Sequence, residues 1–319
     1  MERVINKIML KEKIERDDSA KYRGDLLVRQ RAINNAVAST IEGLLPKNAL
    51  VIDACAGPEG SVLACSIRGW KWIGNDISPR FARDLRQSGA RNVVVSNFPE
   101  SPYADGSTDA VLFVFALNNI CNTSASAEES KRITKEHGVV AIADPGPARW
   151  ISSILTHQLI NNQDLLNTTK RYEIDEYFRS KDYSEEEYVN TYCIECLGIN
   201  PPDLAKIINL FYAEVKNGKD RKRAEYSIHE TVAKIYYRNI IDSFERNQFQ
   251  LEKSYVAGTG LNDSEWTTSS NPVAVENDRL LNELMEARSW KGEITKDLPD
   301  SFGRSQSRII FPILVFKKR

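Results

Sequence analysis

Histidine and cysteine are scarce in this chain, with three and five in 319 residues. The cysteines are odd in number and scattered through stretches that read as core and helix, which argues against a disulfide framework and for a reducing compartment. Cys193 and Cys196 form a lone C-x-x-C, whereas structural zinc needs two more ligands, so no metal is expected. Long apolar runs are absent, and the opening M-E-R-V-I-N-K-I-M-L-K-E is too charged for a secretory signal. An excess of one charge is missing as well: 43 Lys and Arg face 44 Asp and Glu, which does not advertise a nucleic-acid partner. A cytoplasmic protein without a membrane partner is expected.

The most informative stretch that is present is V-I-D-A-C-A-G-P-E-G, Val51 to Gly60. It reads as a buried strand, Ala49 to Ala54, entering a turn of small residues and then a helix marked by Val62, Leu63 and Cys65. Such a turn lets a ligand approach the backbone and meet the open N–H groups of a helix start. A phosphate-binding P-loop is excluded, because no Lys-Ser/Thr follows the last glycine and Glu59 would repel a pyrophosphate. A nucleoside carrying positive charge suits these residues better.

Asp53, Cys55, Gly57 and Glu59 occupy the places of an acid followed by alternating glycines, and the stretch resembles motif I of class I S-adenosylmethionine (SAM) dependent methyltransferases. Only Gly57 keeps the glycine register, and Gly60 lies one residue late, so the turn must differ in detail. Further landmarks arrive in order. Asp76 ends a second strand, Trp70 to Asp76, where an acid grips a ribose diol. After a third strand, Asn92 to Ser96, the run N-F-P-E-S-P-Y-A-D-G-S-T-D-A-V is similar to the family's adenine-contacting segment. Asn97 stands at its acid and Phe98 is placed to lie against the adenine ring. A fourth strand, Ala110 to Ala116, ends in Leu117-Asn118-Asn119, and Ile133 to Asp144 resembles the helix, glycine turn and fifth strand. The resemblance implies SAM as cofactor, bound by Asp53, Ala54, Cys55, Gly57, Asp76, Ile77, Asn97, Phe98 and Ala116.

Alternating strands and helices predict an α/β fold. The resemblance makes it a doubly wound, mostly parallel seven-stranded sheet whose last strand, Arg308 to Phe316, is antiparallel beside a sixth, Phe249 to Ala257. The domain would comprise residues 31–148 and 248–319, preceded by a helical leader or lid at 1–30. Ile33, Val37, Ile41 and Leu44 recur at helical spacing and give one apolar face to pack on the sheet. Residues 149–247 far exceed a crossover helix and read as an inserted helical cap, with stripes at Leu204, Ile207, Ile208, Phe211 and at Val232, Ile235, Tyr236, Ile240. The cap holds nine tyrosines from Tyr172 to Tyr237, either presented to a substrate or forming its own core or an oligomer contact, as in a homodimer. A further helix is expected at the Asn271 cap with Pro272 in its first turn.

Methyl transfer from a sulfonium is an in-line displacement, so it needs alignment and a nucleophile relieved of its proton. The catalytic candidates are His157, Asn118 and Asp144, with Asn119, Tyr22 and His229 toward the substrate. The resulting expectation is methylation of an O or N atom of a small molecule, such as a substrate of a biosynthetic pathway. An RNA methyltransferase is the alternative raised by C-A-G-P-E-G, similar to the C-A-A-P-G-G of RNA 5-methylcytosine enzymes, and by the basic run Lys216 to Arg223. Against it, Cys121 lies in N-N-I-C-N without the expected neighbouring proline. A SAM-binding module without turnover and a dinucleotide-dependent oxidoreductase are further readings, the last disfavoured by Glu59.

Overall fold

A computed structural model describes residues 25–58, 60–120, 122–144, 179, 184–216, 221–259, 273–275 and 309–319. These fall into two compact units: the larger holds the described residues up to 144 and from 241 onward, the smaller those of 179–240. No described helix is long and apolar enough to cross a membrane.

The larger unit is built on strands β1 (Leu50–Ala54), β2 (Lys71–Asp76), β3 (Val93–Val95), β4 (Thr108–Val114), β5 (Thr134–Ala143), β6 (Phe249–Thr259), β7 (Val273–Val275) and β8 (Ile309–Lys318). They form one sheet in the order β3-β2-β1-β4-β5-β8-β6-β7. The first five pair in parallel, and β8 enters antiparallel between β5 and β6. This is the expected seven-stranded sheet with its antiparallel strand, and β7 adds a short eighth strand at the edge of β6. β1 and β4 are buried along nearly their whole length, as parallel strands covered on both faces must be.

Helix α1 (Asp25–Ile41) lays Ile33, Ala36, Val37 and Ile41 into the core with Val51, Leu112, Ala141 and Val315. The spacing of those four positions is helical, so one apolar stripe accounts for the packing. Arg68, just past α2 (Val62–Ile67), fastens the two helices by donating to Asn35 Oδ1 (3.0 Å) and Ser39 Oγ (2.7 Å) on α1, and to Glu42 (3.0 Å). Phe244 stacks on Phe316 at 5.0 Å and meets Phe249 at 5.6 Å and Phe113 at 6.2 Å, an aromatic cluster on the sheet.

Two sequence expectations need correction. The glycine turn expected before the fifth strand is a bulge inside β5: pairing passes from Thr108↔Thr134 directly to Ala110↔Val139, and His137 adopts φ 63°. Gly138 permits it, since a Cβ there would stand 3.0 Å from the Asp109 carbonyl. The helix expected from Asn271 is instead the Val-Ala-Val of β7, which pairs through Ser254↔Val275 and Val256↔Val273. Two β-branched residues beside an open strand edge favour pairing over a proline-started helix.

In the smaller unit, α6 (Glu185–Thr191) opens on a capping box of Ser184 and Glu187 and continues as a π turn, Tyr192–Leu197. Gly198 ends it at φ 64°, and Asn239 Nδ2 of α8 (Arg221–Arg246) donates to the Cys196 carbonyl at 2.8 Å. Between them runs α7 (Pro201–Lys216), with Leu204 buried. Tyr188 and Tyr192 stack at 6.5 Å, and Tyr236 meets Tyr237 at 5.5 Å. All four tyrosines are buried core residues. Cys193 and Cys196 are buried thiols, and burial pushes Cys193 up to about 12. Tyr172, Tyr177, Tyr183 and the side chains of Tyr212 and Tyr226 lie outside the described residues.

Helix α5 (Thr123–Ile133) fixes the loop between β3 and β4. The buried Glu129 accepts from the Ser101 amide (3.1 Å), from the Ser101 hydroxyl, and from Arg132 Nη2 (2.7 Å). Arg132 also donates to the carbonyls of Tyr103 (2.7 Å) and Ser101 (3.1 Å) and to Asp105 (2.6 Å). Removing one partner of such a buried set strands the others. Glu129→Ala should therefore lower unfolding free energy by about 3 kcal/mol, and Glu129→Gln by less, as read from urea denaturation.

Candidate active site

The carboxyl end of β1 delivers Asp53 and Ala54, both buried, to a turn the chain can make only with left-handed residues. Cys55 takes φ 57°, Gly57 φ 62° and Gly60 φ 56°. Cys55 thus adopts the conformation of the glycine it replaces, at a cost of roughly 1–2 kcal/mol. The late Gly60 supplies the third left-handed position, and its N–H closes the turn on the Ala56 carbonyl at 2.9 Å.

Asp53 Oδ2 accepts from the Ser61 amide at 2.5 Å and from Trp72 Nε1 at 3.2 Å, tying the far side of the turn to β1 and β2. Burial is the dominant influence on this carboxyl and pushes it from 3.8 up to about 6, against the lowering effect of those donors. Asn34 of α1 donates to the Gly60 carbonyl at 2.6 Å. Asp76, at the tip of β2, accepts from the Gly57 amide and the Ser78 amide, both at 2.8 Å. Ile77 is half-buried between Asp76 and Ser78, whose hydroxyl caps α3 (Pro79–Gln87) by accepting from Phe81 N at 3.1 Å.

On β3's side, Asn75 Nδ2 donates to Ser96 Oγ at 2.6 Å, and half-buried Asn97 precedes the turn Phe98–Glu100. Phe98 is 1% exposed and its ring meets the Phe113 ring in a T-shaped contact at 5.1 Å. On the other side, the registers Ala54↔Phe113 and Val114↔Ala143 bring the ends of β1, β4 and β5 together. Phe115 N donates to the Ala143 carbonyl at 2.7 Å, Ala116 is buried, and Asp144 follows Ala143 with 1% exposure. Asn118 and Asn119 belong to α4 (Leu117–Ile120), but their side chains lie outside the described residues. So do Tyr22, Glu59, Cys121 and His157 entirely; His229 lies on α8 of the smaller unit with its side chain not described.

Sequence reasoning missed Asn34 and Trp72. Asn34 interrupts the apolar stripe of α1, and Trp72 precedes Gly74 by one pleat; both signals are legible once the turn's position is known.

A family model described as a methyltransferase domain matches residues 52–142, which run from β1 to β5. With the sheet order, that match gives residues 52–142 the fold of a class I methyltransferase domain, for which the resemblance implies SAM as cofactor. Distant structural likenesses include the YcgJ protein of Bacillus subtilis, at 14% identity over 89% of this chain and 98% of that one, TM-score 0.44. A SAM-dependent methyltransferase of Methanosarcina mazei follows at 12% over 88% and 96%, TM-score 0.43. The geranyl diphosphate C-methyltransferase of Streptomyces coelicolor stands at 12% over 89% and 78%, TM-score 0.41. A comparison with curated proteins finds no significant match. The residues present fit such a cofactor: Asp76 would hold the ribose diol, the left-handed turn would admit close backbone approach, and two buried carboxylates suit a sulfonium better than a phosphate.

Two outcomes follow from the carboxylates. Because Asp53 binds its proton more tightly folded than unfolded, its contribution to stability is present at low pH and is lost as pH rises through about 6. Asp53→Asn should therefore raise Tm at pH near 8, by a free energy on the order of 2–3 kcal/mol, with the gain vanishing toward pH near 4. Asp76→Ala should weaken SAM about ten- to hundredfold in a folded protein, and titration calorimetry showing unchanged affinity would remove Asp76 from the site.

Proposed function

We propose that the chain methylates an oxygen or nitrogen atom of a small molecule, with Asp144 receiving the acceptor's proton. The observation that supports this most is a buried carboxylate at the carboxyl edge of β5, one strand over from β4 and two from the cofactor turn. In open α/β sheets ligands gather at that edge.

Bound SAM supplies an electrophilic methyl group on a sulfonium. The chain's own part is to hold and align: Asp76 for the ribose, the Cys55–Gly60 turn for the remainder of the cofactor, and Asp144 for the acceptor's O–H or N–H. Asn118 is assigned to orient that acceptor, with Asn119, Tyr22, His157 and His229 as further candidates from the sequence. A near-balanced charge of −1 supports a small acceptor over a polyanion.

The test is formation of S-adenosylhomocysteine with a panel of small alcohols, phenols, amines and carboxylates, guided by mass spectrometry of any co-purified ligand. SAM binding without product across the panel would favour a binding module. With an acceptor found, Asp144→Asn should lower kcat by about 10²–10⁴ and leave SAM affinity within a fewfold; unchanged kcat would discharge Asp144 as the base.

A further inference from the structure

Trp72 has no place in the family resemblance, yet it meets the cofactor turn at Gly60 and the strand-end acid Asp53 that ties the turn down. It stands two residues before Gly74 and four before Asp76 on β2, so the pleat puts all three on one face. The indole occupies the space a Gly74 side chain would fill. Its edge runs beneath Gly60, where a Cβ would stand 2.6 Å from Cζ2. Its Nε1 donates to Asp53 Oδ2 at 3.2 Å, the same oxygen that accepts the Ser61 amide at 2.5 Å. The ring is buried in the core cluster with Val51 and Val93, so it cannot swing aside cheaply.

We propose that Trp72 is a positioning residue of the SAM site: its N–H orients the Asp53 carboxylate and its ring supports Gly60, so the Ser61 amide and the turn are set before the cofactor arrives. The proposal rests on the SAM assignment. Around Asp53 stand the donors Ser61 and Trp72, with Asp76 on β2, Cys65 on α2 and Tyr103 ahead of β4 as the titratable neighbours. Asp53 protonates near pH 6, and a protonated carboxyl is the weaker acceptor. Removing the indole N–H takes away a donor that favours the ionised form, so Asp53 should then protonate at higher pH.

The experiment has two arms. In the wild-type protein labelled with ¹⁵N, the Trp72 indole resonance should shift between about pH 4.5 and about pH 8 with a midpoint near 6, and shift again on adding S-adenosylhomocysteine. It is assigned by substituting the other four tryptophans, Trp70, Trp150, Trp266 and Trp290, in turn. In Trp72→Phe, which keeps much of the ring and loses the donor, S-adenosylhomocysteine affinity should fall about five- to tenfold and its pH midpoint should rise. A folded Trp72→Phe with unchanged affinity and midpoint overturns the proposal, and lowered affinity with an unmoved midpoint overturns the role of the N–H. Should that variant not fold, an indole resonance indifferent to both pH and ligand has the same force. A wild-type protein that binds no S-adenosylhomocysteine refutes the cofactor assignment and this proposal together, whereas normal wild-type binding beside an unaffected Trp72→Phe refutes this proposal alone.

Discussion

A carboxylate held out of water at the end of β1 is the constraint on which the cofactor side of the sheet depends. Asp53 is buried on all sides and still accepts from a strand partner, Trp72, and from the returning chain, Ser61. Ionised, it is a costly group in that setting, and burial outweighs its donors in setting its proton affinity. A buried acid kept at the expense of stability needs a compensating use, and here the use is geometric. It fixes where the chain re-enters α2 after three left-handed residues, and so fixes the turn.

That turn shows how a glycine pattern can be broken while its backbone is kept. Cys55 adopts φ 57° where the family places a glycine, and Gly60 provides φ 56° one residue later than the pattern asks. Left-handed residues with a side chain persist where surrounding contacts over-determine them. The contacts here are the Ala56 amide on the Asn75 carbonyl (2.9 Å), the Gly57 amide on Asp76 (2.8 Å) and Asn34 on the Gly60 carbonyl (2.6 Å). β2 contributes two of these and α1 the third, so the turn's shape is a property of the folded unit more than of its own ten residues.

The strands were legible because burial on both faces forces continuous apolar runs, and each acid at a strand end marked the edge where a ligand binds. What escaped the sequence was relational. Trp72 reads as one more apolar residue in β2 until Gly74 and Gly60 are seen to leave space for its ring. The bulge in β5 depends on Gly138 lying against the Asp109 carbonyl, a contact between strands that no local pattern announces. Val273 to Val275 read as the first turn of a helix after Pro272, because the edge of β6 that captures them is supplied from elsewhere in the chain. The tyrosines were ambiguous for the same reason: a ring with a hydroxyl fits a core or a ligand, and Tyr188, Tyr192, Tyr236 and Tyr237 went to the core.

The two ends of the proposed reaction then rest on different kinds of residue. Cofactor binding is assigned to backbone amides and to acids at strand ends, positions the sheet fixes once β1, β2 and β4 are in register. Acceptor chemistry is assigned to Asp144, which follows β5, ahead of the roughly one hundred residues that separate β5 from β6 in the sequence. The first set is shared with every turn of this construction, so it reports the cofactor and says little about the acceptor. The second lies at the start of a connection, and connections vary more in length and composition than the strands they join. Specificity for the acceptor is thus expected to reside in residues that follow Ala143, beginning with the buried acid at that boundary.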